Sequence, residues 1–111
     1  MDAKVLKKGE GKILIEGEEF TEIFWHSDKL IFSVSSLLPG QRAILDPGHP
    51  GSDEVCYVVQ GTIVMHLPEK DQHFLVRAGD AVFIPPGQPH YAINVDDQKA
   101  VMTWALAPRL R

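Results

Sequence analysis

The 111-residue sequence predicts an all-β domain, built as an antiparallel sandwich or barrel. Three observations lead there. No stretch of useful length keeps a helical period. Short apolar runs rich in Val, Ile, Phe and Thr recur along the whole chain, and Gly, Pro and Asp break them at close spacing. β-branched and aromatic side chains suit a pleated, half-buried surface, and connections this short join antiparallel neighbours.

The runs come in order. Lys12 to Gly17 (KILIEG), Phe20 to His26 (FTEIFWH) and Leu30 to Pro39 (LIFSVSSLLP) read as the first three strands. Glu54 to Gly61 and Thr62 to Pro68 lie on either side of a Gln-Gly turn. His73 to Gly87 holds two strands split by Ala78-Gly79-Asp80, and His90 to Val95 and Ala100 to Pro108 complete the set. Pro39 to Asp53 is the longest irregular stretch; a long loop in a small domain is more often functional than idle.

Size and composition limit the options. A chain of this length is expected to form one domain spanning 1–111. The formal net charge of −4 and the lack of a basic stripe argue against nucleic acid or an anionic membrane as partner. Cys56 is the single cysteine, so no internal disulfide forms. No apolar run approaches a membrane span, and the N-terminus lacks the apolar core of a signal peptide. A cytoplasmic setting is the expectation.

Strand parity singles out two residues. If Glu54 points inward, Cys56 and Val58 share its face while Val55, Tyr57 and Val59 face away. A buried carboxylate is costly unless paired, hydrogen-bonded or bound to a metal. His90 shares a face with Ala92 and Asn94 and follows a rigid Pro85-Pro86-Gly87 turn.

Gly79, Pro85, Gly87, His90 and Asn94 match at every position the second motif of the cupin family, which the sequence resembles. Gly40, His49, Glu54 and Gly61 fall in suitable places for the first motif, and 17 residues separate the two. Together the motifs cover Gly40 to Asn94. The resemblance implies an antiparallel jelly-roll β-barrel with a metal held inside by three histidines and a glutamate.

The chain departs from that pattern at one histidine. Counted forward from Gly40, the first-histidine slot is Asp46; counted back from Glu54, it is Pro47. A one-residue bulge between Asp46 and His49 reconciles the counts and gives the set Asp46, His49, Glu54 and His90. On the stricter count Pro47 takes the slot and three ligands remain. Either set suits one divalent transition metal per chain, Fe, Mn, Zn or Ni. The plain alternative for Asp46 is a turn residue before Pro-Gly.

Arg42, Cys56 and Asn94 are the remaining candidate pocket residues. Arg42 is placed to grip an anionic substrate, although a surface salt bridge is its duller use. Cys56 reads first as a small buried hydrophobe. Trp25, Tyr57, Met102 and Trp104 are candidate pocket walls or packing residues.

The resemblance implies a metal-dependent enzyme acting on a small polar metabolite, a sugar or organic acid, by isomerase, lyase or dioxygenase chemistry. Glu54 or Asp46 is then the candidate proton carrier. A non-catalytic binding or sensor barrel is the alternative, since the fold does not choose among functions. Residues 1–30 carry strands available to pair or exchange across a dimer, because open sheet edges need covering. A homodimer is expected. Light scattering on the eluting protein that returned a clean monomer at micromolar concentration contradicts it.

Overall fold

Nine strands build the part of the chain that the computed structural model describes, residues 2–109. They are β1 (Lys12–Glu16), β2 (Glu19–His26), β3 (Ile31–Leu37), β4 (Asp53–Gln60), β5 (Thr62–Leu67), β6 (Gln72–Arg77), β7 (Ala81–Ile84), β8 (Tyr91–Asn94) and β9 (Ala100–Ala107). Each apolar run of the sequence is one of these strands, with ends within about two residues of those expected. A single 3-10 turn, Pro68–Lys70, joins β5 to β6.

All pairings are antiparallel, and the strands form two sheets. The larger has the order β1-β2-β3-β9-β4-β7 and the smaller β6-β5-β8. Neighbours that are distant in sequence, β3 beside β9 and β9 beside β4, give the jelly-roll connectivity. β1 pairs with β2 of its own chain and is the end strand of the larger sheet.

Strand alternation sets the core. β4 buries Glu54, Cys56 and Val58, while Val55, Tyr57 and Val59 face outward. β5 buries Ile63, Met65 and Leu67. Leu37, Ala100 and Met102 close one end of the interior with apolar side chains. The inward residues turn polar toward the other end. In the register Ser35 lies opposite Met102, and Ser33 and Cys56 both lie opposite Trp104. Glu54 pairs with Leu106 and with Ile84. The site therefore sits at the polar mouth of an otherwise apolar barrel.

The long segment after Pro39 is more ordered than its composition suggests. Its first half runs along β8 as a broken strand. Asn94 N–H donates to Gln41, Ala43 N–H to Ala92, and Asp46 and His90 exchange backbone hydrogen bonds of 2.8 and 3.0 Å. The bridges pair Arg42 with Ile93 and then Asp46 with His90, four residues on one side against three on the other. The strand thus carries one extra residue relative to β8 ahead of Asp46, around Ile44 and Leu45. The reason is the ladder itself, which holds Asp46 directly opposite His90.

Ile63 is fully buried between the sheets, whereas Val59 is 52% exposed. Ile63→Ala is expected to lower unfolding free energy by about 2–5 kcal/mol. Val59→Ala should stay within about 0.5 kcal/mol. Urea titrations of the two variants check this contrast.

Candidate metal centre

Four side chains from three parts of the chain meet at the barrel mouth. Glu54 is the first inward residue of β4 and is 7% exposed. His90 precedes β8 and is 2% exposed. Its position follows from the Pro85-Pro86-Gly87 turn, where Gln88 N–H donates back to Pro85 and Gly87 takes a φ of 74°. Asp46 reaches the site through its backbone bridge to His90. His49 follows one short turn later.

Gly48 makes that turn possible. Its φ is 95°, a region that favours glycine, and a Cβ built there would lie 2.6 Å from the carbonyl carbon of Gly87. The ligand-bearing loop and the proline turn are packed backbone to backbone. Asp46 divides its carboxylate between two tasks. Oδ1 accepts the Gly48 N–H at 2.9 Å, an Asx turn, and Oδ2 lies 3.3 Å from His49 Nε2. One oxygen of Asp46 thus makes the turn, and the other faces His49.

Asp46, His49 and Glu54 each offer a ligand atom, and these atoms lie within 4.8 Å of one another. His90 Nε2 is 3.2 Å from Glu54 Oε1 and 3.8 Å from Asp46 Oδ2. Two ligands each about 2.1 Å from a shared ion stand about 3.0–3.4 Å apart in tetrahedral or octahedral geometry. The spacing therefore fits a divalent ion with modest side-chain adjustment. Two imidazoles and two carboxylates form a borderline-to-hard donor set, suited to Fe, Mn, Zn or Ni. Pro47 lines the neighbouring cavity and offers no donor.

The protonation of His90 is legible from its partners. Nδ1 lies 2.9 Å from the Gln88 carbonyl oxygen, which only accepts, so Nδ1 carries a hydrogen. Nε2 faces two carboxylates. A lone pair there needs a proton or a cation between it and the carboxylate oxygens. Burial pulls the His90 pKa down, but hydrogen bonds to Glu54 and Gln88 and the charges of Glu54 and Asp46 outweigh it and raise it overall. This is the arrangement of a metal-binding histidine oriented through its second nitrogen.

A cavity of about 340 Å³ opens beside these residues, within the range of small-ligand sites. Leu14, Ile23, Ile31, Leu45 and Leu106 supply much of its wall, and Trp104 packs near His90 with ring centroids 5.9 Å apart. Arg42, Cys56 and Asn94 are not among the lining residues. The Arg42 guanidinium stacks over the ring of Tyr91, which does line the cavity, at 4.5 Å. Cys56 is packed in the apolar core, and burial pushes its thiol far above the usual range, followed by the nearby charges of Glu19 and Glu54. Asn94 is buried, and its amide donates to Leu37 and Gln98 carbonyls, which fixes the loops at the closed end. Of the candidate wall residues, Trp104 lines the cavity; Met102 is core, Tyr57 is exposed, and Trp25 sits under Lys4. Glu19, which lines the cavity from the first position of β2, lies just outside the strand expected from Phe20 and had no signal in the sequence.

A family model described as a cupin domain matches residues 33–106. Cupincin of Oryza sativa subsp. indica is 39% identical over 70 residues, which is 61% of this chain and 15% of cupincin. The chain thus spans only a small part of that relative's length. The TT1209 protein of Thermus thermophilus superposes with a TM-score of 0.73 at 30% identity, covering 84% of this chain and 86% of TT1209. A predicted oxalate decarboxylase of Thermotoga maritima superposes with a TM-score of 0.81 at 20% identity, covering 96% and 100% of the two chains, and shares the fold.

The raised pKa of His90 sets a pH dependence. In metal-free protein the imidazolium–Glu54 pair contributes stability that is fully present below pH 6.5 and is lost as pH rises through the higher folded value. Metal uptake has the opposite sign, since the ion displaces the Nε2 proton. The rise in melting temperature on adding Zn²⁺ should therefore grow between pH 6 and pH 8, while that of metal-free protein falls. A zinc-induced rise that shrinks with pH contradicts this.

Proposed function

The chain belongs to the cupin domain family, and from that premise we propose that it is a metal-dependent enzyme working on a small molecule held in the barrel mouth. One observation carries the reading: Asp46, His49 and Glu54 offer ligand atoms within 4.8 Å of one another, with His90 Nε2 3.2 Å from Glu54 and 3.8 Å from Asp46, directly beside a cavity large enough for a small substrate. A closed structural site has no need of that cavity.

His49, Glu54 and His90 hold the ion, with the Gln88 carbonyl fixing the ring of His90 through its Nδ1–H. When bound, the ion supplies Lewis-acid chemistry to an oxygen of the substrate or of water. Asp46 has a different position. It is one-third exposed, its Oδ1 is engaged with Gly48, and its Oδ2 lies between His49 and His90. That oxygen completes the ligand set or, when released from it, carries a proton to and from the cavity. Glu54 is buried at the back of the site and serves as a ligand. Isomerase, lyase and dioxygenase reactions are the candidate chemistries.

Elemental analysis of untagged protein purified without chelator tests this. Close to one Fe, Mn, Ni or Zn per chain is expected, with loss of metal in the Glu54→Ala/His90→Ala variant and an unchanged far-ultraviolet spectrum. Wild-type protein that carries no metal and takes up none on soaking contradicts the reading.

A further inference from the structure

The deepest unexplained group in the cavity is Glu19. It opens β2, lines the cavity, and has an oxygen, Oε2, that is buried without any hydrogen-bond partner. Buried polar atoms are nearly always satisfied, and the exceptions ask for a reason. Glu19 lies outside the cluster of candidate ligand atoms formed by Asp46, His49 and Glu54. The carboxyl is held from behind. Trp104 Nε1–H donates to Ser35 Oγ at 2.8 Å, and the Ser35 hydroxyl stands beside the Glu19 carboxyl. Burial raises the Glu19 pKa, against the lowering effect of Ser35, and Glu16 and Asp46 push it the same way.

The rest of the lining has a definite character. The acidic residues are Glu16, Glu19, Asp46 and Glu54, and no Lys or Arg is among the described residues that line the cavity. Six Leu and Ile side chains and the Trp104 ring form the apolar part of the wall, beside Thr21, Ser33, His49, His90 and Tyr91. An anionic metabolite finds no cation there other than a metal, and a sugar would set some of its hydroxyls against six Leu and Ile side chains. An apolar body with one neutral polar substituent meets both the walls and the single unpaired oxygen.

We propose that Glu19 is a specificity-determining residue whose Oε2 hydrogen-bonds the hydroxyl of a largely apolar, ring-bearing substrate seated between the Leu and Ile walls and Trp104. This rests on the reading of the cavity as the substrate site beside the metal. It replaces the sugar or organic acid expected from family resemblance with a neutral hydroxylated ring compound.

The test uses 2-naphthol, 2-methylnaphthalene and 2-naphthoate as probes on the protein as purified. Calorimetry gives the affinities, and the indole N–H resonance of Trp104 reports occupancy. In wild type, 2-naphthol should shift that resonance saturably and bind about tenfold tighter than 2-methylnaphthalene, as one hydrogen bond to a buried partner requires. It should also bind tighter than 2-naphthoate. Glu19→Met, of similar length but unable to hydrogen-bond, should abolish the preference for naphthol over methylnaphthalene. It should melt no lower than wild type, because a desolvated carboxyl is removed. Glu19→Gln keeps both hydrogen-bonding positions and should retain the preference within about threefold.

A preference that persists in Glu19→Met overturns the proposal, as does naphthoate binding wild type as tightly as naphthol, or no binding of naphthol at all. Metal content measured on the same samples separates the two readings. Wild-type protein with a full metal site and no preference for naphthol over methylnaphthalene overturns the role of Glu19 alone. Intact, Glu19-dependent preference in protein that takes up no metal overturns the proposed function and leaves the role of Glu19 standing.

Discussion

The reciprocal backbone hydrogen bonds between Asp46 and His90 are the constraint on which the site depends. Residues directly opposite in an antiparallel pair project to the same face, so fixing Asp46 against His90 brings both side chains into the barrel mouth. The bulge ahead of Asp46 has a definite purpose in this. Ala43 faces inward opposite Ala92, and a residue three positions further along a regular strand would face outward. One extra residue restores the parity and turns Asp46 inward. Gly48 then allows the loop to pass against Gly87 and bring His49 to the same point.

Charge and packing reinforce this geometry. Glu54 is a nearly buried carboxylate whose facing partner is His90, and His90 is itself tied to the Gln88 carbonyl. A buried ion pair gains little net stability over apolar packing, because both charges lose their water. Such a group is better understood through what it binds. The interior supports the same view: Leu37, Ile63, Met65 and Met102 fill one end to completion, while Ser33, Ser35, Glu19 and Glu54 face the other. The closed end holds the two sheets together, and the open end leaves a cavity.

The strands were legible because each apolar run is short and bounded by Gly, Pro or Asp. The inward faces of β4 and β8 followed from period-two alternation, which places Glu54 with Cys56 and Val58, and His90 with Ala92 and Asn94. The cavity wall was less legible. Arg42 and Asn94 lie close in sequence to site residues, but the broken strand along β8 directs one onto Tyr91 and the other into the closed end. Cys56 shares the face of Glu54 but lies one inward step deeper, in the apolar core. Glu19 belongs to a strand far from either motif in sequence, and only the sheet order brings it to the cavity. The bulge ahead of Asp46 also needed the ladder, since the count from Gly40 to Asp46 carries no sign of it.

X-ray absorption at the metal edge of the loaded protein tests the central claim most directly, because it counts and identifies the donors around the ion. The account predicts two imidazole rings, visible by their outer-shell scattering, with the remaining donors oxygen at about 2.0–2.2 Å. A sulfur scatterer at about 2.3 Å, or a shell with one imidazole or none, would contradict it.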